Sequence, residues 1–101
     1  MGKVHVEVLP AFAEVLGIPS RSEEALPEDS DCGGQSVRAF LGRLAARYPY
    51  FGDIAFDSNT QKLTGNVMVF HNGRDLELSD GLETKLSDGD SLTLVPVIPG
   101  G

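Results

Sequence analysis

The chain has 101 residues, 15 of them acidic and 8 basic, and carries a formal charge of −7. That length holds one domain and buries roughly 65% of the surface its unfolded form exposes, enough for a single core without staples. The charge balance excludes a nucleic-acid backbone binder, which needs clustered Lys and Arg; the lone Cys32 excludes an internal disulfide and a cysteine metal cluster.

Apolar content of 41% and charged content of 23% are those of a folded globular chain. Arg38, Arg43 and Arg47 share one helix, but acidic segments flank them, and they read as solvated helix charges. An acidic surface of this kind is steered towards a basic protein partner. No basic segment precedes an apolar run at the N-terminus, and no apolar run approaches the ~20 residues of a membrane span. The expected compartment is the cytoplasm, with no membrane association.

Residues 4–8 alternate Val4, His5, Val6, Glu7, Val8, the period-2 pattern of a half-buried strand with His5 towards solvent. Pro10 opens a short helical stretch in which Phe12, Val15 and Leu16 share a face; Gly17 closes it and Pro19 prevents its extension. Residues 20–31 are polar and acidic, with a weak strand around Glu24–Leu26, and Cys32 lies in a loop-like Asp31-Cys32-Gly33-Gly34. Ser36 is a fitting N-cap for one long helix over 37–48. Within it Val37, Phe40, Leu41, Leu44, Ala45 and Tyr48 draw a continuous apolar stripe, which Pro49 ends.

Residues 50–65 read as a connector anchored by Tyr50, Phe51, Ile54, Phe56 and Leu63. A strand is expected over Val67–His71, then a type I′ turn at Asn72-Gly73 and a return over Arg74–Leu78. A turn-rich stretch follows, and Asp88-Gly89-Asp90 launches the last strand, Ser91–Val95. His71 flanks a turn, and Asp88 and Asp90 read as turn residues, not ligands. Strands at both ends and one amphipathic helix between them predict an α+β fold: a mixed four- to five-stranded sheet packed on that helix. In a β-grasp arrangement the first and last strands lie side by side at the sheet centre. One domain spans 1–101.

The last strand runs into Pro96-Val97-Ile98-Pro99-Gly100-Gly101. Pro96 and Pro99 lack amide N–H groups, so the chain is expected to leave the sheet from Pro96 as a flexible, extended tail over 96–101. Six extended residues reach roughly 20 Å. Two glycines without side chains can thread a narrow channel and set a main-chain carboxylate against a reagent. A carboxylate is ionised at neutral pH and a poor electrophile, so acyl chemistry there needs activation by a partner. The chain itself carries no phosphate-binding loop and no nucleophile–base constellation.

On the strands, if Val67, Val69 and His71 face the helix, Met68 and Phe70 turn outward; likewise Leu92 and Leu94 face inward and Thr93 and Val95 outward. Met68, Phe70 and Val95 then form an exposed apolar patch suited to docking. Val97, Ile98 and Pro99 of the tail extend the partner-binding set.

The ordered combination resembles the MoaD/ThiS family of ubiquitin-like sulfur carriers. It rests on Phe12-Ala13-Glu14-Val15-Leu16-Gly17, the Val37–Pro49 helix, Asn72-Gly73-Arg74-Asp75 and Gly81-Leu82-Glu83-Thr84-Lys85-Leu86. Asp88-Gly89-Asp90 and the Val95-Pro96-Val97 to Gly100-Gly101 ending complete it. The resemblance implies that an E1-like enzyme uses ATP to adenylate the Gly101 carboxylate. Sulfur from a donor protein then replaces AMP to leave a thiocarboxylate. Gly101 would carry the sulfur and Gly100 would allow entry. No cofactor would be bound by the chain itself, which would act with partner enzymes and not as an enzyme.

In the MoaD branch, which the length favours, the chain would be the small subunit of a molybdopterin synthase, its tail received by a larger catalytic subunit. The family often ends Pro-Pro-Val-Ala/Thr-Gly-Gly, and Pro99 beside the diglycine departs from that pattern. Carriers for cysteine or thiamine synthesis, a ubiquitin-like modifier forming isopeptide bonds, and a non-covalent β-grasp interaction domain stand as alternatives.

Overall fold

The computed structural model describes residues 2–26, 35–78 and 80–97. The alternating N-terminal segment forms strand β1 (Gly2–Val8), with Val4, Val6 and Val8 buried. Helix α1 (Pro10–Leu16) starts on Pro10 and ends at Gly17, whose φ of 70° lets the Ile18 N–H reach back to the Ala13 carbonyl at 3.1 Å. Ala13 and Leu16 face the core, while Val15, expected there, is exposed. In two turns of helix the i, i+3 pair takes the buried face and Val15 lies about 100° away from Leu16. Strand β2 (Arg21–Leu26) is longer than the weak segment expected over 24–26.

After β3 (Gln35–Ser36), Ser36 caps helix α2 (Val37–Arg47) by accepting a hydrogen bond from the Ala39 N–H at 3.2 Å. The expected stripe is the buried face: Val37, Phe40, Leu41, Leu44 and Ala45. The connector expected over 50–65 is structured instead. Pro49 ends α2 and occupies the first turn of α3 (Pro49–Ile54), and strands β4 (Phe56–Asp57) and β5 (Lys62–Leu63) form a small hairpin. Phe51 and Phe56 are buried there, but Tyr50 is exposed and is not a core anchor. Arg38 ties this hairpin to α2, its guanidinium donating to the Gln61 carbonyl at 2.7 Å and to Glu83.

Strand β6 (Val67–His71) turns through Asn72 (φ 52°) and Gly73 (φ 83°) into β7 (Arg74–Asp75). The expected return strand is cut to two residues because Leu76 drops into the core on a 3₁₀ turn. Strand β8 (Lys85–Leu86) pairs with β3, and β9 (Ser91–Pro96) closes the chain's main sheet.

That sheet has the order β2-β1-β9-β6-β7, with β1 and β9 parallel at its centre and the other pairs antiparallel. The inner face, led by Val4, Val6, Val69, Leu92 and Leu94, packs on α2 in one core. The mixed five-stranded sheet and its long helix are those expected from the sequence. No helix among the described residues is long and apolar enough to cross a membrane.

The start of β9 is pinned by polar groups. His71 Nε2 lies 2.8 Å from Asp90 Oδ2, the Ser87 N–H donates to the same oxygen at 2.8 Å, and the Asn72 amide donates to Asp90 Oδ1 at 3.2 Å. Partial burial would raise the Asp90 carboxyl, but the hydrogen bonds from His71, Ser87 and Asn72 together hold it below its ordinary value. A lowered folded-state value stabilises the fold above the unfolded value of about 4, and that contribution is lost as pH falls through the folded value. Asp90→Asn is therefore expected to lower stability at pH 7 and to flatten the decline below about pH 4. Urea titrations at several pH values test this; an unchanged acid limb would count against it.

Candidate functional site

The outer face of the sheet is divided. Over β1 and β2 it carries Lys3, His5, Glu7, Arg21 and Glu23, with His5 Nδ1 3.8 Å from Glu23. Over β9 and β6 it carries Thr93, Val95, Phe70 and Met68. The register sets Met68 opposite Val95 and Phe70 opposite Thr93, so three of the expected docking residues share one face. Met68 is 37% and Val97 39% exposed, while Phe70 and Val95 are half-buried.

Leu9, at 56% exposure, was not legible as part of this patch. The parallel register pairs Val8 with Leu94, which brings Leu9 level with Val95 at the end of the ladder. Leu9, Pro10, Thr93 and Val95, with Glu7 and Arg21, line a depression of about 240 Å³ there. The Leu9-Pro10 pair directly after an alternating strand was the available signal, but its meaning depends on the β1–β9 pairing.

The departure expected at Pro96 does not occur. Pro96 belongs to β9 opposite Val67, and the Val97 N–H donates to the Asn66 carbonyl at 3.0 Å. That bond makes 66/97 a hydrogen-bonded pair, so at Pro96 the main-chain N points away from β6. It points to the side where β1 pairing has already ended at Val8, and the missing N–H costs no ladder bond. Ile98, Pro99, Gly100 and Gly101, the remaining residues expected to act, lie outside the described residues.

Chemically, the described part of the molecule presents a platform. No group of three or more His, Cys, Asp or Glu able to hold a metal ion occurs among the described residues. The His71–Asp90 pair sits at the start of β9, about 20 Å of strand from its exit. A depression of about 510 Å³ beside α2 is lined by Arg38 and Arg43, and both guanidinium groups already donate to protein oxygens. The apolar patch at the end of β9 is the feature that adjoins the C-terminal segment.

A mixed sheet with its two terminal strands parallel at the centre, wrapped on one amphipathic helix, defines a ubiquitin-like β-grasp protein. The solved structure of SAMP1 from Haloferax volcanii shares it with a TM-score of 0.73 at 23% identity, over 99% of this chain and 100% of that one. The putative molybdopterin converting factor subunit 1 from Pyrococcus furiosus shares it with a TM-score of 0.68 at 24% identity, over 97% and 100%. In sequence, the chain is 35% identical over 69 residues to the sulfur carrier protein CysO of Mycobacterium tuberculosis, covering 67% of this chain and 74% of that one. Residues 16–101 match the ThiS family. The chain belongs to that family and is a sulfur carrier protein of the ThiS/MoaD/CysO type.

Proposed function

We propose that the sulfur is carried on the Gly101 carboxylate. An E1-like enzyme would transfer AMP from ATP to that carboxylate and release pyrophosphate; a sulfur donor protein would then supply sulfide to the acyl carbon, expel AMP and leave the thiocarboxylate. Gly100 gives the access that such a channel requires. The observation that supports this reading is the path of the chain: the central strand β9 leads past the apolar half of the outer face straight into the terminal segment. A partner gripping Leu9, Met68 and Val95 would hold the tail at a fixed distance from its own reagents. Intact mass after incubation with ATP, an E1-like enzyme and a sulfur source tests it. The expected product has one oxygen replaced by sulfur; an unaltered mass would reject it.

Val95→Asp is expected to weaken binding to the activating enzyme at least tenfold, by putting a charge into the apolar contact. The outer-face position keeps the fold intact, so circular dichroism should not change. Unaltered affinity in a titration would reject the patch as the docking surface.

For the acceptor, the first reading is a pterin precursor bound in the larger subunit of a molybdopterin synthase. A second reading is a carrier for cysteine synthesis. Loading the thiocarboxylated protein with each acceptor system and following sulfur into product separates the two. Appearance of high-mass conjugates in cell extract would instead favour a protein modifier.

A further inference from the structure

Strand β2 is one edge of the main sheet. The Val8 N–H donates to the Ser20 carbonyl at 2.8 Å, which fixes 8/20 as a hydrogen-bonded pair in the β1–β2 register. By alternation, Ser22 and Glu24 also spend their main-chain groups on β1, while Arg21, Glu23 and Ala25 turn theirs to the open side. The Ala25 carbonyl is taken there by the Arg43 guanidinium at 2.8 Å. The main-chain N–H and C=O of Arg21 and Glu23 have no partner among the described residues.

Sheet edges usually protect themselves by brevity or by repelling charge. The opposite edge, β7, has two residues. The β2 edge is six residues long, and its two outer-face charges are of opposite sign, two positions apart. Such a pattern is self-complementary. When two copies run antiparallel about Ser22, Arg21 of each lies opposite Glu23 of the other. These are the two residues whose main-chain groups face outward. The register therefore forms four main-chain hydrogen bonds and two opposite-charge cross-strand pairs together. A register centred on Glu23 sets Glu23 against Glu23 and calls on the occupied Ala25 carbonyl. One centred on Arg21 sets Arg21 against Arg21.

We propose that β2 pairs with β2 of a second copy in the Ser22-centred register, joining two sheets edge to edge. Met68, Phe70 and Val95 of the apolar patch lie on β6 and β9, with β1 between them and the β2 edge, so the pairing leaves them open; Arg21, which also lines the depression beside Leu9, is shared by the two surfaces. An interface this small is expected to be weak, with a Kd on the order of 0.1–1 mM.

The test uses the full chain in sedimentation equilibrium up to about 1 mM, at about 0.15 M salt, where a screening length of ~8 Å limits repulsion between the two acidic copies. The wild-type chain should show a monomer–dimer equilibrium, with concentration-dependent amide shifts centred on Arg21 and Glu23. Arg21→Glu and Glu23→Arg should each weaken association at least tenfold, because each faces like charges across the join. Mixed in equal amounts, the two variants should recover association, since both pairs of the mixed dimer are then complementary. A wild-type chain that stays monomeric throughout, single variants that associate as the wild type does, or a mixture no better than its components would each overturn the proposal. Both substitutions lie on exposed side chains, and circular dichroism checks that the fold is kept.

Discussion

Phe40→Ala is expected to cost about 3–5 kcal/mol of folding stability, the range for removing a large aromatic side chain from a closed core. Phe40 is 1% exposed in the middle of the stripe by which α2 meets the sheet. The loss has two parts: the apolar surface that no longer leaves water, and the cavity that the surrounding Val, Leu and Phe side chains cannot close. A third, smaller part comes from Arg43, whose guanidinium sits 5.6 Å from the Phe40 ring centroid and would lose that face. Single domains hold only about 5–15 kcal/mol in all, so the variant should be close to the edge of folding at 37 °C. Urea unfolding followed by circular dichroism gives the number, with Val15→Ala as the comparison. Val15 is 55% exposed, and its truncation should stay within about 0.5 kcal/mol. Similar losses for the two variants would mean that the α2 stripe is not the core.

The contrast between Phe40 and Val15 also shows what the sequence could say. Eleven residues of α2 repeat the helical period three times, so a single off-face residue cannot mask the pattern. The seven residues of α1 hold it only about twice, and three apolar residues fit more than one face. The α3 helix and the β4–β5 hairpin were hidden for a related reason: six-residue and two-residue elements have no period to read, and Pro49 marks both an end and a start. In β2 the alternation was obscured because Glu24 points to the helix side. There it is covered and ion-paired with Arg47, a burial that sequence alone reads as solvent exposure.

The outer-face positions proposed for docking were more legible. Met68, Phe70 and Val95 follow from the two-residue period of β6 and β9 once one face is assigned to the core. Leu9 and the continued ladder at Pro96 were not, because both depend on which strand lies beside β9 and how far it runs. Pairing partners are set by topology, and no local pattern encodes them.

Deleting Gly101 is expected to abolish activation, a loss of at least about a hundredfold in the rate of AMP transfer, provided the proposed chemistry is that of this chain. The deletion moves the terminal carboxylate back by ~3.5 Å, the span of one extended residue. Displacement of a reacting group by even ~1 Å can cost about a hundredfold when alignment carries the catalysis. The ladder through Val97 makes the displacement hard to absorb. The Val97 N–H is bonded to the Asn66 carbonyl, the last ladder bond among the described residues, and four residues of the sequence follow it from Ile98 onward. Unpairing more of β9 to regain reach would give up that bond and pull on the apolar patch proposed for docking. Gly100→Val should fail for a different reason, a branched side chain where the channel must be narrow. Adding one residue after Gly101 should fail because the reactive carboxylate is no longer where the adenylate forms. The core of the described residues runs from Val4 to Leu94, ahead of all three changes, so all three variants should unfold in urea as the parent does. ATP–pyrophosphate exchange with the cognate activating enzyme reads the first step, and intact mass reads the thiocarboxylate. If the shortened chain is activated as readily as the parent, the carboxylate of Gly101 is not the reacting group, and a non-covalent role for the β-grasp platform replaces it.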